Sequence, residues 1–202
     1  MKTLKNVCTA GVLLATFLLT GCASYQAASL SNLSPEFLPN TTQKDVTITC
    51  KVFNKVDCKK YLDRDVISEG YQPVQIAIQN QSNKTLIFSS GGISIPHVSS
   101  DQVAPKVHTS TAGRIAAYGV GSIFIPFLVI PAVVDGIKSA SANDHLDIDF
   151  AAKEAKDQIL YPQSKLNGLI FVPQENYSDN LTVTLIDKDT NEANILTVEI
   201  AK

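Results

Sequence analysis

The chain has no tryptophan, three histidines, four cysteines and fewer basic than acidic side chains, 17 against 19 over 202 residues. Each shortage narrows what the protein can be. Three scattered histidines, His97, His108 and His145, restrict acid–base and metal schemes that draw on imidazole. A formal net charge of −2 excludes nucleic acid as a partner, because phosphate recognition needs a basic surface. No Gly-x-Ser-x-Gly elbow and no phosphate loop is present, and Ser89-Ser90-Gly91-Gly92 reads as a turn rather than an oxyanion loop. No motif calls for a cofactor. The one acid cluster is Asn143-Asp144-His145-Leu146-Asp147-Ile148-Asp149, in which His145 and Asp149 would share a helix face at i and i+4. Such a pair holds a metal only with a third ligand, and none is in sight. Acids near a helix start are favoured by the dipole in any case, so no metal site is expected.

The first segment has the parts of an export signal: Lys2 and Lys5, an apolar run over residues 7–19, then small residues. The run is too short for an ordinary membrane span. At its end, Leu19-Thr20-Gly21-Cys22 resembles the lipobox of bacterial lipoproteins. That resemblance implies cleavage before Cys22, acylation of its thiol, and membrane lipid as a partner. Ala23 and Ser24 follow, with no aspartate at the second position, and by the same resemblance this implies sorting to the outer membrane. Small residues at 20 and 21 admit a peptidase to the backbone, and the thiol supplies the nucleophile for a thioether. Cleavage removes two of the 17 basic residues and none of the 19 acids, so the net charge deepens from −2 to about −4. Without a polybasic patch, the lipid itself must hold the protein to the membrane.

Cys8 leaves with the signal and Cys22 takes the lipid, which leaves Cys50 and Cys58. In an oxidising compartment two thiols eight residues apart are expected to form a disulfide. The alternative is a pair of buried free thiols, since Cys50 lies in an alternating stretch where it can be core. A metal site built on these two would need further Cys or His nearby.

Residues 22–44 are rich in Ser, Asn, Gln, Thr and Pro and read as a lipidated flexible tether. Strand patterns follow at 46–53, 73–80, 85–88, 168–172, 181–187 and 195–200, the last two joined as a hairpin by the polar turn 188–192. Residues 54–65 read as a polar turn region anchored by Tyr61 and Leu62, with Asp63-Arg64-Asp65 pairing charges on a solvated face. Short strands without strand–helix alternation predict an α+β fold over residues 45–202. Its core is an immunoglobulin-like antiparallel β-sandwich with an apolar helical insertion at about residues 113–160. The Cys and Trp hallmarks of true immunoglobulin domains are absent, so the likeness is one of architecture, shared with small periplasmic lipoproteins that carry such a sandwich.

Residues 115–134 form a twenty-residue run without a charge, long enough to cross a bilayer. Pro126 and Pro131 break it, and Gly119 and Gly121 weaken its first half. A broken helical hairpin packed on the sandwich is expected, with a loop dipping into lipid and a true span as alternatives. Phe124, Phe127, Leu128 and Ile130 are the candidates for membrane or partner contact. Residues 139–158 then read as a helix capped by Ser139 or Ser141, with Leu146 and Phe150 on its apolar face. Two functions remain. One is a non-catalytic binding or structural module of the envelope, engaging an envelope protein. The other is an envelope-polymer hydrolase using Asp144, Asp147 or Asp149, which would need a paired-carboxylate geometry that spacing alone does not provide.

Overall fold

A computed structural model describes residues 24–109 and 129–200, with side chains of the last helix described from residue 140 onward. Cys22, Phe124, Phe127 and Leu128 lie outside the described residues. Two compact units are distinguished, residues 26–107 with 146–202, and residues 1–25 with 108–145. The first of these holds two antiparallel four-stranded sheets and several helices, an α+β fold.

The strands are β1 (Asn40–Gln43), β2 (Val46–Val52), β3 (Tyr71–Asn80), β4 (Leu86–Ile93), β5 (Gln158–Leu160), β6 (Lys165–Pro173), β7 (Asn180–Asp187) and β8 (Ala193–Glu199). They are arranged as β1-β2-β3-β6 in one sheet and β5-β4-β7-β8 in the other. Between the sheets lie Val46, Ile48, Cys50, Val74, Ile76, Ile78, Ile170 and Val172 from the first and Leu86, Phe88, Leu181, Val183, Leu185, Leu196 and Val198 from the second. In both sets the positions are spaced by two, as one face of a pleated strand requires. The helices are α1 (Lys55–Leu62), α2 (Ser100–Val103) and α3 (Val129–Lys153). α1 and α3 contact the other face of the first sheet. Lys51 reaches Asp57 of α1 at 2.5 Å, Phe53 meets Tyr61 with ring centroids 5.4 Å apart, and Phe150 of α3 stacks on Phe171 of β6 at 5.6 Å. Three layers result: helices, first sheet, second sheet.

Two strands and two helices differ from the sequence-based expectation. β1 lies inside the stretch read as a tether, joined to β2 by Lys44 and Asp45, both at positive φ (48° and 60°). This is the primed two-residue turn that matches strand twist, here without the usual glycine. β5 falls where helix was expected. α3 starts at Val129, not Ser139, and ends at Lys153, after which Glu154 and Ala155 run beside Leu169 of β6 and the chain crosses to pair with β4. Pro131 sits in the first turn of α3, where a missing N–H costs no helical bond. α1 replaces the polar turn expected at 54–65. Asn54 accepts from the Asp57 amide at 2.9 Å while its own amide donates to the Asp57 carboxylate at 3.3 Å, a reciprocal capping box.

The tether is not loose throughout. The Gln26 amide donates to the Asp63 carboxylate (3.0 Å) and the Ala28 amide to the Lys60 carbonyl (2.9 Å). The Ser31 hydroxyl lies 3.0 Å from the Tyr61 hydroxyl, and its carbonyl accepts from Gln75 (2.7 Å) and Asn167 (3.3 Å) on the first sheet. Residues 26–31 are therefore a strap across α1 and the sheet.

The expected disulfide is absent: Cys50 and Cys58 are both free and buried. Cys50 points into the space between the sheets, while Cys58 is outside that cluster, on α1. Burial pushes both thiols up to about 12, helped at Cys58 by the Asp65 and Asp57 carboxylates. Neither should therefore react in the folded protein. Alkylation at neutral pH is expected to label neither thiol in the native chain, and both after unfolding without a reductant. Protection of the unfolded, unreduced chain would reinstate the bridge.

In the other unit, the described residues include the first part of α3 and a two-bond grip of Asn143 on the Thr109 backbone (2.9 and 3.2 Å). Ile130 lies in that part of the helix. No helix among the described residues is long and apolar enough to cross a membrane.

Candidate functional site

The acids proposed for hydrolysis all lie on α3, which spaces them around its circumference. Asp149 is committed to Lys153 at 2.5 Å, and the buried Lys153 ammonium also donates to the Tyr61 carbonyl at 2.6 Å. That arrangement ties α3 to α1. It is a structural use of the carboxylate, not a poised one. Asp144 and His145 are exposed on the same helix. Among the described residues no group of three His, Cys, Asp or Glu is placed to hold a metal.

Ser89-Ser90-Gly91-Gly92 is not a turn but part of β4, where the register against β7 shifts between Phe88 and Ile93. The bulge is held by Asp157, which accepts from the Ser90 amide (2.7 Å) and the Ser89 hydroxyl (2.9 Å). Those donors keep its carboxyl below the usual range. A Cβ at Gly92 would stand 2.7 Å from the Thr184 carbonyl oxygen, so the close strand approach needs glycine there. In the 63–65 turn, Asp63 caps α1 in the left-handed region (φ 49°) and pairs with Lys59. Arg64 donates to the Val107 carbonyl at 3.0 Å, and Asp65 pairs with Lys55 at 3.2 Å.

A cleft of about 510 Å³ opens where β1 stops short of the end of β2. Leu38, Pro39, Phe53, Ile67 and Ile200 give it apolar walls, and the Lys51–Asp57 pair lies at its side. Its polar side chains are already engaged: Asp57 holds Lys51 and caps α1, and Gln72 donates to the Phe53 carbonyl at 2.7 Å.

The outer face of the second sheet offers a better-defined surface. Register places Ile87 directly beside Ile159 on one side and Ile186 on the other, and Ile186 beside Ala193. Ile195 stands two residues further along β8. The row crosses all four strands, about 15 Å at ordinary strand spacing. Ile87, Ile159 and Ile195 are 37%, 40% and 56% exposed. Along β7 and β8 the row gives way to threonines, with the Thr182 and Thr197 hydroxyls 2.9 Å apart. The result is an apolar stripe with a hydroxyl border, a few hundred Å² in area, the range in which a patch on a monomer is often functional. The first sheet carries helices on its outer face; on the second sheet the described residues leave this row open to solvent.

None of these isoleucines was expected as a site. Each does leave a local trace, because Ile87 falls between Leu86 and Phe88 and Ile159 precedes Leu160, an apolar side chain in the phase where alternation calls for a polar one. No protein-family model matches the chain, and no curated protein or solved structure is significantly similar to it.

Proposed function

We propose that this chain is a lipid-anchored protein of the bacterial envelope whose sandwich is a non-catalytic module binding an envelope protein through the isoleucine row. The row is the observation that carries the binding role. The anchor rests on Leu19-Thr20-Gly21-Cys22 closing an apolar run, and Ala23 and Ser24 behind it favour the outer membrane. An immunoglobulin-like reading of the sandwich is supported by strand order. With β2, β3 and β6 taken as strands A, B and E, β4, β7 and β8 fall at C, F and G, and β5 lies beside C at the C′ place. Tyr177 stands just before β7, at the corner where such folds carry a tyrosine, although its hydroxyl donates downstream to the Ile200 carbonyl and not to the upstream backbone as it does in them. On this reading the row lies on the C′CFG face.

Replacing Ile87 and Ile195 together by lysine tests the role. Ile195 is 56% and Ile87 37% exposed, and Ile87 loses cross-strand contacts to Ile159 and Ile186, so the cost should stay within about 1–2 kcal/mol in all and leave the sandwich folded. Cross-linking from a photoreactive residue at Thr184, in cells, should capture an envelope protein in the wild type and lose it in the double variant. Capture that survives both lysines would remove the row from the interface.

A further inference from the structure

The strap begins four residues after Cys22, at the Gln26 amide bound to Asp63. Four residues span at most about 14 Å when fully extended. If Cys22 carries lipid, the C-terminal end of α1 is leashed within that distance of the bilayer surface. The isoleucine row lies two layers away, about 20 Å further by ordinary layer spacings. The leash alone thus biases which side of the protein meets lipid.

What α1 presents there fits a headgroup layer. Its exposed residues are Lys55, Val56, Lys59 and Lys60, with Val56 75% exposed among the three lysines. Over residues 51–65 the cations Lys51, Lys55, Lys59, Lys60 and Arg64 stand against the carboxylates of Asp57, Asp63 and Asp65, with Asp57 paired to Lys51, a local excess of positive charge on a chain whose net charge is −2. Lysines close to an anionic leaflet each add attraction, and an apolar side chain among them can enter the interface. The lysine stems are also held in place, Lys59 by Asp63, Lys55 by Asp65 and Ser68 (both 3.2 Å), and Lys60 above the Tyr61 ring at 4.7 Å.

We infer that the outer face of α1 is a phospholipid-contact surface, and that anchor, strap and lysines together hold the sandwich in one orientation, with the isoleucine row turned away from the bilayer. This rests on the lipoprotein reading above. The surface is too small to bind membrane unaided, in keeping with the lipid as the main attachment. Its part is to orient the protein.

The test uses the full chain expressed in a Gram-negative host, purified in detergent and placed in vesicles of phosphatidylethanolamine and phosphatidylglycerol. Mass spectrometry first reads acylation at Cys22; absence of the acyl mass overturns the anchor, and this inference with it. On acylated protein, a fluorophore at Val56→Cys or at Ile195→Cys is exposed to a lipid with a nitroxide on its headgroup, the native Cys50 and Cys58 being buried and unlabelled. Quenching several-fold stronger at 56 than at 195 is expected. Equal quenching, or stronger quenching at 195, overturns the orientation while leaving the anchor standing. Lys55→Glu with Lys60→Glu should cut the quenching at 56 at least twofold with acylation unchanged. No change in that double variant would overturn the headgroup contact and leave only a leash.

Discussion

Phe150→Ala is expected to destabilise the protein by about 3–5 kcal/mol, a large share of the stability of an ordinary domain. The ring is fully buried and lies flat on Phe171, with planes 2° apart, at the point where the last turns of α3 meet β6. Truncation removes that ring and opens a cavity bounded by a helix and a sheet, neither of which can collapse far. Next to it, Lys153 of the same helix holds the Tyr61 carbonyl of α1. Loosening α3 therefore also endangers a buried ammonium whose partners would be lost together. Phe150→Leu, which keeps most of the volume, should cost no more than about 1.5 kcal/mol. Chemical denaturation followed by tyrosine fluorescence reads both. A cost below about 1 kcal/mol for Phe150→Ala would mean that α3 is not packed on the sheet as described.

That helical layer also explains what the sequence shows and what it hides. β7 and β8 belong to the sheet with a wet outer face, so their burial alternates residue by residue and the hairpin is legible from its pattern. β6 is covered on both faces, by the second sheet and by α3. It reads as the continuous apolar run Leu169-Ile170-Phe171-Val172, all of it buried, with no phase to say which side is which. β5 has three residues and a position fixed by pairing with β4 and by Asp157 on the bulge, long-range facts with no local signature. α1 did leave a signal, the Asn54-x-x-Asp57 capping box, but its inward residues Asp57, Cys58, Tyr61 and Leu62 make a weakly apolar stripe that resembles a turn. For the site the limit is register. Four isoleucines in the wrong phase can be picked out one at a time, but only the pairing of Ile159 with Ile87 and of Ile87 with Ile186 makes them a row.

Cys22→Ser is expected to abolish acylation completely, the largest functional effect of any single change proposed for this chain. A thioether forms by attack of a sulfur nucleophile, and a serine hydroxyl, far less acidic than a thiol, is too weakly nucleophilic to replace it and could not give a thioether. On the proposed lipoprotein reading, processing depends on the modified cysteine, so the variant should accumulate as uncleaved precursor or escape as soluble protein. Labelled palmitate should enter the wild type and not the variant, and label in the variant would defeat the assignment of Cys22. The sandwich itself should be untouched, because its strands and core are built from residues 40–200, beyond the substituted position. The variant released from its signal should therefore melt with the wild type. What it does with lipid is equally informative. One acyl chain holds a protein only marginally and several hold it stably, so loss of all of them should free the chain from vesicles if Cys22 is the whole attachment. If the acyl-free protein still sediments with liposomes, the uncharged run at residues 115–134 is holding it. Phe127→Asp should then release it without lowering its melting temperature. If instead the acyl-free protein stays in solution and Phe127→Asp costs several kcal/mol, the run is packed against protein, where an unpaired charge has no solvation.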